Sequence, residues 1–193
     1  MNARIALFLA IASLLAAGCG SSEGSGEHPD YRAALAGAPR PLASLYAQGN
    51  ELLAGGRDAY ERRLRSLRGY PVVVNLWASW CGPCRFEFPY FQRAAARYGK
   101  RVGFLGVDKE DSDDLAEKFL GERPLPYPSY TDPDEEIAES IDPDATRGLP
   151  TTAFYDRTGE LTYLKLGPYD EDEERLLHAD IERYALGGGG ESG

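Results

Sequence analysis

The apolar positions of this chain fall into two rhythms. "YPVVVNLWA", from Tyr70, is β-branched and almost wholly apolar, which predicts a strand buried on both faces. "RVGFLGVD", from Arg101, predicts a second strand over Val102–Val107. Between them "CGPCRFEFPYFQRAAARYG" has helical character, with Pro83 tolerated in the first turn and Pro89 predicting a kink. Strand, helix and strand in succession make Val72–Trp77 and Val102–Val107 parallel neighbours joined by a right-handed crossover.

Helical spacing marks both flanks. Upstream, "PLASLYAQGNELLAGG" puts Leu42, Leu45, Tyr46, Leu52 and Leu53 on one side and stops at Gly55-Gly56. "RDAYERRLRSLRG" then places Tyr60, Leu64 and Leu67 at i, i+4 and i+7. Downstream, "SDDLAEKFL" predicts a helix capped by Asp111 or Ser112. An extended Pro-rich piece follows, then a helix opened at Asp132-Pro133 and a turn around Asp142-Pro143. "TTAFYDRTGELTYLKLG" predicts a hairpin with a glycine in its turn, and "DEDEERLLHADIERYAL" a closing amphipathic helix with acids in its first turn.

A chain of 193 residues suits one domain with a sizeable core. Its 42% hydrophobic and 27% charged residues are those of a globular protein, and a net charge of −10 with no basic stripe excludes nucleic acid as a partner. Residues 1–18 stand apart. "MNAR" is a short basic start, and the apolar run "IALFLAIASLLAA" has 13 residues. That is short of the ~20 a membrane-spanning helix needs and fits a cleaved export signal. The run ends in "LLAAGCGSS", which resembles a bacterial lipobox with Cys19 as the lipid-modified first residue. Residues 19–38 then form a Gly/Ser-rich tether, 39–186 the domain (39–69 being a helical N-terminal extension), and 187–193 a disordered Gly-rich tail. Lipidation at Cys19 would anchor the protein at the outer face of the cytoplasmic membrane and leave Cys81 and Cys84 as one pair in an oxidising compartment.

That pair admits several chemistries. Structural zinc needs four ligands, and beyond the pair only His28 and His178 remain. Haem attachment needs a histidine where Arg85 stands, and copper sites favour methionine and histidine partners that are lacking. A purely structural disulfide closing so small a loop stabilises little. The redox reading supplies a mechanism. Cys81 at a helix N-terminus meets unpaired N–H groups and the dipole, which favour a thiolate nucleophile, and Cys84 one turn on can release the partner. Gly82 relieves crowding in the turn, and Pro83 stiffens the pair.

"VVVNLWASWCGPCRFEFPYF" resembles the active-site segment of the thioredoxin superfamily, in particular its TlpA/ResA-like exported thiol–disulfide oxidoreductases. "RGLPTTAFYD" resembles the same family's cis-proline loop, with Pro150 as the cis residue. The resemblance spans roughly Val72 to Leu186. It implies an α/β, thioredoxin-like fold, with a central mixed β-sheet of four or five strands flanked by helices. It implies a membrane-tethered reductase of protein disulfides, with no cofactor, an unidentified electron donor, and relatives that supply reduced thiols for cytochrome c maturation. Cys81 would be the nucleophile, Cys84 the resolving thiol, Trp80 a shield over the sulfurs, and the backbone of Leu149 a partner for bound substrate. Trp77 is assigned to the core.

Thioredoxins carry a buried Asp six residues before the first active-site cysteine, and here that residue is Asn75. The proton acceptor is therefore open, with Glu87, Glu110 and Asp111 as candidates. The plainer expectation makes Glu87 a first-turn acid that favours the helix dipole, and Glu110 and Asp111 a solvated helix cap. A calcium loop counted from Asp132 has Ile137 where glycine is required, and His178 is expected on the surface. Two rival functions stand beside the reductase: a disulfide-forming oxidase, because Gly-Pro between the cysteines does not set direction, and a lipid-anchored metal- or partner-binding module whose dithiol does not turn over.

Overall fold

The computed structural model describes residues 28–171 and 173–187. Its centre is β2 (Val72–Trp77), whose six residues are all buried. β3 (Gly103–Lys109) lies parallel to it in the register Val72↔Gly103 to Trp77↔Asp108. β4 (Ser129–Asp132) extends the sheet parallel to β3, and the two-residue β1 (Leu52–Leu53) lies parallel to β4 at the edge. On the other side β5 (Thr151–Tyr155) runs antiparallel to β2, and β6 (Leu161–Leu166) antiparallel to β5. The sheet is thus mixed and six-stranded, in the order β1-β4-β3-β2-β5-β6.

Strand periodicity sorts the β2 side chains between two cores. Val73 and Trp77 join Phe88, Phe91, Phe104, Phe119 and Phe154 on one face. There the packing partners include α4 (Gly82–Tyr98), α5 (Asp113–Glu122) and α7 (Glu174–Asp180), which continues as a wider turn through Leu186. Val72, Val74 and Leu76 join Leu42, Leu45, Tyr60, Leu105, Val107 and Ile137 on the other, under α2 (Arg40–Tyr46), α3 (Gly56–Ser66) and α6 (Glu136–Ile141), α1 being Tyr31–Leu35. The helical turns of α4 run on through Pro89 to Tyr98. The β5–β6 hairpin turns at Gly159, whose φ is +87°, with the Asp156 carboxylate accepting the amides of Thr158 and Glu160.

Three expectations change. Leu52 and Leu53 are a strand and not the end of a helix, because the helix from Arg40 stops at Tyr46. Gly49 packs against the Pro126 carbonyl so closely that a Cβ would lie 2.9 Å from its oxygen, and Asn50 takes φ +66°. Asn50 then bonds the Leu125 amide through its side chain and the Tyr127 carbonyl through its own amide, which steers the next residues onto β4. The stretch expected as tether contains a short helix, Tyr31–Leu35, capped by Asp30 and pinned by the Tyr31 hydroxyl donating to the Pro124 carbonyl at 3.1 Å. The sheet has six strands where four or five were expected, since that edge pairing adds one. Cys19 and the export signal lie outside the described residues.

At the centre of the sheet the side chains of Ser129 and Trp77 leave no room at Gly106. A Cβ there would stand 2.1 Å from Ser129 Oγ and 2.9 Å from Trp77 Nε1, the two atoms that hydrogen-bond at 3.2 Å. Gly106→Ala should therefore cost about 1–3 kcal/mol in urea unfolding. Gly121→Ala in α5, where a Cβ meets nothing within 4 Å, should instead stabilise by up to about 1 kcal/mol.

Candidate active site

β2 ends at Trp77, and the chain turns through Ala78, Ser79 and Trp80 before α4 begins. The turn is closed by the Cys81 amide on the Ala78 carbonyl at 3.1 Å. Cys81 is extended (φ −76°, ψ 105°) and caps α4, its Sγ accepting the Cys84 amide at 3.2 Å. Cys81 and Cys84 are joined in a disulfide with Cα atoms 5.3 Å apart. The two cysteines are not equivalent: Cys81 is 5% exposed and Cys84 is 0%. Pro83 occupies the first turn, where its missing N–H costs no helical bond. Gly82 has nothing within 4 Å of where a Cβ would stand, so it relieves no crowding inside the chain, contrary to expectation. Its lack of a side chain leaves the outer side of the turn clear.

The segment leading into Cys81 is held from the loop after β3. Asp111 spans across to it, one carboxylate oxygen accepting the Ser79 amide at 2.5 Å and the other the Ser112 amide at 2.8 Å. The Trp80 indole N–H donates to the Glu110 carbonyl at 2.9 Å, and Arg85 donates to the Ser79 carbonyl at 3.2 Å. Asp111 is therefore a tie to the dithiol segment and not a solvated cap. Glu110 serves through its backbone in the left-handed conformation (φ +54°), while its carboxylate lies 3.4 Å from the Lys109 ammonium. Trp80 itself is 59% exposed, more open than a side chain lying flat on the sulfurs.

Glu87 departs furthest from its expectation. It is 0% exposed on the sheet-facing side of α4, beyond the first turn, so the dipole does not account for it. One carboxylate oxygen accepts from Asn75 Nδ2 at 2.9 Å and the other from the Tyr169 amide at 3.0 Å. Burial pushes its pKa up to about 7, against the opposing pull of those two donors and the charge of Lys165. The buried carboxyl that thioredoxins place on the strand is here on the helix, with Asn75 facing it. Asn75 Oδ1 and the hydroxyl of Thr152, its β5 register partner, have no hydrogen-bond partner. Cys84 and Glu87 stand at i and i+3 on α4, which makes them neighbours on one helix face.

The Leu149–Pro150 bond is cis. β5 starts at Thr151, opposite Leu76, so Pro150 lies level with the end of β2, where the dithiol turn begins. A cavity of about 220 Å³ opens beside it, lined by Arg147, Leu149, Pro150 and Leu166 among others. The stretch before this loop is anchored by Lys109, 1% exposed, whose ammonium donates to the Thr146 carbonyl at 2.9 Å and to Glu135 at 2.8 Å.

Sequence reasoning missed Asp108, Lys109 and Tyr169. For Asp108 a signal existed: it ends an apolar strand run, where an acid points into the structure more readily than in a solvated loop. Burial, with Asp111 and Asp113 nearby, pushes its pKa up to about 8. His178, expected on the surface, is half-buried against the Tyr98 ring at 5.4 Å and lies 3.7 Å from Glu174. Among the described residues, no group of three or more His, Cys, Asp or Glu is arranged to hold a metal ion.

Comparison with known proteins agrees with this geometry. The family described as Redoxin matches residues 49–181. The thiol-disulfide oxidoreductase ResA of Geobacillus kaustophilus is 33% identical over 124 residues, covering 62% of this chain and 68% of the relative. The thiol:disulfide interchange protein HelX of Rhodobacter capsulatus is 30% identical over 140 residues, 72% of each chain. Among solved structures, that of a putative thiol:disulfide interchange protein DsbE from Chlorobium tepidum superposes with a TM-score of 0.55 at 28% identity. That match covers 61% of this chain and 82% of the other.

Glu87 and Asp108 also set a pH dependence of stability. Both hold their protons in the folded protein to higher pH, about 7 and about 8, than in an unfolded chain, where they ionise near 4. The unfolded state thus binds fewer protons across that window, and stability falls as pH rises through it. The Glu87 contribution is on the order of 3 kcal/mol. Urea unfolding of the oxidised protein at pH 5 and pH 8 should show the loss. Glu87→Gln should flatten the slope between about pH 4.5 and 7, and an unchanged slope would refute the assignment.

Proposed function

The chain belongs to the Redoxin family and is a thiol–disulfide oxidoreductase of the ResA/DsbE type, and on that premise we propose that it reduces disulfides of exported proteins from a lipid anchor at Cys19. The observation that carries the reading is the asymmetry of the pair. Cys81 is 5% exposed and its sulfur accepts a helix N-terminal amide, while Cys84 is wholly buried.

In the reduced protein the Cys84 amide and the helix start favour the Cys81 thiolate. That thiolate attacks one sulfur of a substrate disulfide. The substrate S–S bond breaks, its second sulfur leaves as a thiolate that takes up a proton, and Cys81 is joined to the first. Cys84 then loses its proton and attacks Cys81 Sγ. The mixed disulfide breaks, the second substrate thiol is released, and the Cys81–Cys84 disulfide forms. Two electrons have passed to the substrate. Glu87, one turn beyond Cys84 and poised near neutrality, is the acceptor for the Cys84 proton. The Leu149 backbone beside cis-Pro150 pairs with the extended substrate. An electron donor outside this chain re-reduces the pair.

The anchor fits the shape of the domain. The dithiol lies at the C-terminal ends of β2 and β3, whereas Tyr31 is tied to Pro124, before β4, and Leu35 lies against Gly99 at the end of α4. The first described residues therefore lie at the pole opposite the dithiol, a placement that suits a tether running to a lipid at Cys19. Of five exposed large apolar side chains among the described residues, Trp80, Phe86, Leu115 and Leu166 belong to element ends at the dithiol pole. Such a rim suits unfolded or extended protein, of the kind a C-x-x-C-H segment awaiting haem presents.

The reduction potential of the Cys81–Cys84 pair, measured on the chain carrying Cys19→Ala in dithiol/disulfide buffers, should fall near −270 mV, roughly the thioredoxin value. A value near −120 mV, about that of a strong oxidant, would reverse the direction. Cys84→Ser should accumulate a mixed disulfide with a C-x-x-C-H peptide, and Cys81→Ser should not. Cell fractionation provides a separate check: Cys19→Ala should move the protein from membranes to the soluble exported fraction.

A further inference from the structure

The β5–β6 pairing leaves a backbone group to be satisfied beside Pro150. Its register runs Thr152↔Lys165 and Thr151↔Leu166, so Pro150 and Gly167 face each other one step further on. The Gly167 amide donates to the Pro150 carbonyl at 3.0 Å. An antiparallel ladder would return that bond to the Gly167 carbonyl, but a proline has no N–H with which to do so. Lys165 takes the vacant role. Its ammonium donates to the Gly167 carbonyl at 3.0 Å and to the Pro168 carbonyl at 2.6 Å. It also lies over the Tyr169 ring, 4.4 Å from the centroid.

The turn held in this way ends on the buried carboxyl of α4. Tyr169, 0% exposed, donates its amide to Glu87 at 3.0 Å and its hydroxyl to Asp180 of α7 at 2.8 Å. Three residues, Gly167 to Tyr169, thus connect the cis-Pro150 loop with Glu87. Asn75 of β2 donates to the other oxygen of Glu87 at 2.9 Å. Strand register puts Asn75, Thr152 and Lys165 in one row across the sheet, on the face that α4 covers. Lys165 is the cation whose charge reaches Glu87. The other titratable groups facing the carboxyl are the phenols of Tyr169 and of Tyr127, ahead of β4, and burial keeps both neutral.

We propose that Lys165 is a positioning residue for the exchange reaction: by donating where Pro150 cannot, it fixes the Gly167–Tyr169 turn and seats the Tyr169 amide on Glu87. The inference rests on the reading of Glu87 as acceptor of the Cys84 proton for its consequence, though not for its geometry. In that step Cys84 passes its proton to the Glu87 carboxylate as its sulfur bonds to Cys81 Sγ. The mixed disulfide breaks, and the second substrate sulfur leaves as a thiolate with the electron pair of that bond. The amide and the ammonium both favour the ionised carboxyl that the step requires. Without Lys165 two carbonyls lose their donor, the turn loosens, and both supports of the carboxylate weaken.

The test uses the full chain carrying Cys19→Ala, first oxidised, because a disulfide does not titrate. The Glu87 carboxyl and the Tyr169 amide, followed by NMR, should share an inflection near pH 7. Lys165→Met keeps the length without charge or donor and should move that inflection up by about one pH unit, while Lys165→Arg should restore it. The reduced chain is then given a disulfide joining two dye-labelled peptides, one strand released by Cys81 and the other by Cys84. A one-unit rise lowers the ionised fraction of Glu87 at pH 7 from about a half to about a tenth. The second release should therefore slow about fivefold in Lys165→Met at pH 7 and recover by about pH 9. In a Glu87→Gln background Lys165→Met should change the second release less than about twofold. Lys165→Gln serves in place of Lys165→Met if that variant does not fold. The proposal fails if the neutral variant leaves the inflection in place, if Lys165→Arg matches it, or if it slows the second release equally in the Glu87→Gln background. If the inflection moves as expected but the parent chain releases neither strand, the exchange reading fails and the tie stands.

Discussion

β2 is buried from end to end, between a parallel neighbour and an antiparallel one, with apolar side chains packed on both faces. A strand in that position has no free side from which to present chemistry. Its chain must leave at the end of the sheet and return as a helix, so the unpaired amides of α4 open at the sheet's edge. β3, being parallel, ends at the same level, with Asp108 its penultimate residue and Asp111 in the loop that follows. β5, being antiparallel, starts there and brings cis-Pro150. Three segments far apart in sequence meet at the dithiol because of one strand's surroundings.

The same burial decides the ionisation of every acid it encloses. An uncompensated buried charge costs several kcal/mol, so each site finds a partner or keeps its proton. Lys109 and Glu135 take the first course, with the Thr146 carbonyl completing the ammonium's bonds. Asp132 meets two amides at the start of a helix. Burial outweighs the two donors and the charge of Lys165 at Glu87, which leaves it near neutrality, and Asp108, also buried, has other acids nearby, which lifts it further. A graded set of proton affinities thus surrounds a reaction that must move protons between sulfurs, and one apolar sheet produces the whole series.

Local patterns were legible where local physics decides. The β2–α4–β3 unit follows from an apolar run, a helix start and a second apolar run, and the hairpin from its glycine. The dithiol was legible from two cysteines at helix-start spacing. Leu52 and Leu53 were misread because their spacing satisfies a helix, while the pairing that wins is with Ser129 and Tyr130, far along the chain. Glu87 and Asp111 were read as ordinary helix acids because what makes them otherwise is distant: Asn75 and Tyr169 for one, Ser79 for the other. A carboxyl's burial is a property of the fold's assembly, and a single sequence does not state it.

For the proposed nucleophile, exposure and activation come from one geometric fact, the position of Cys81 just before the first helical residue. At the cap its backbone is still extended, so the residue keeps the slight exposure that Cys84 lacks, yet its sulfur is close enough to accept the Cys84 amide. Moved one turn inward it would share the full burial of Cys84 and face apolar neighbours, where a thiolate is disfavoured. The spacing of two residues between the cysteines follows from the same argument. It is the shortest separation that sets one sulfur at the cap and the other beneath the first turn, within bonding distance of each other. The chemistry therefore requires a rigid approach to Cys81, since a cap residue has its preceding segment, and not a helix, on one side. In this protein the ties from the β3 loop to Ser79 and Trp80 supply that rigidity.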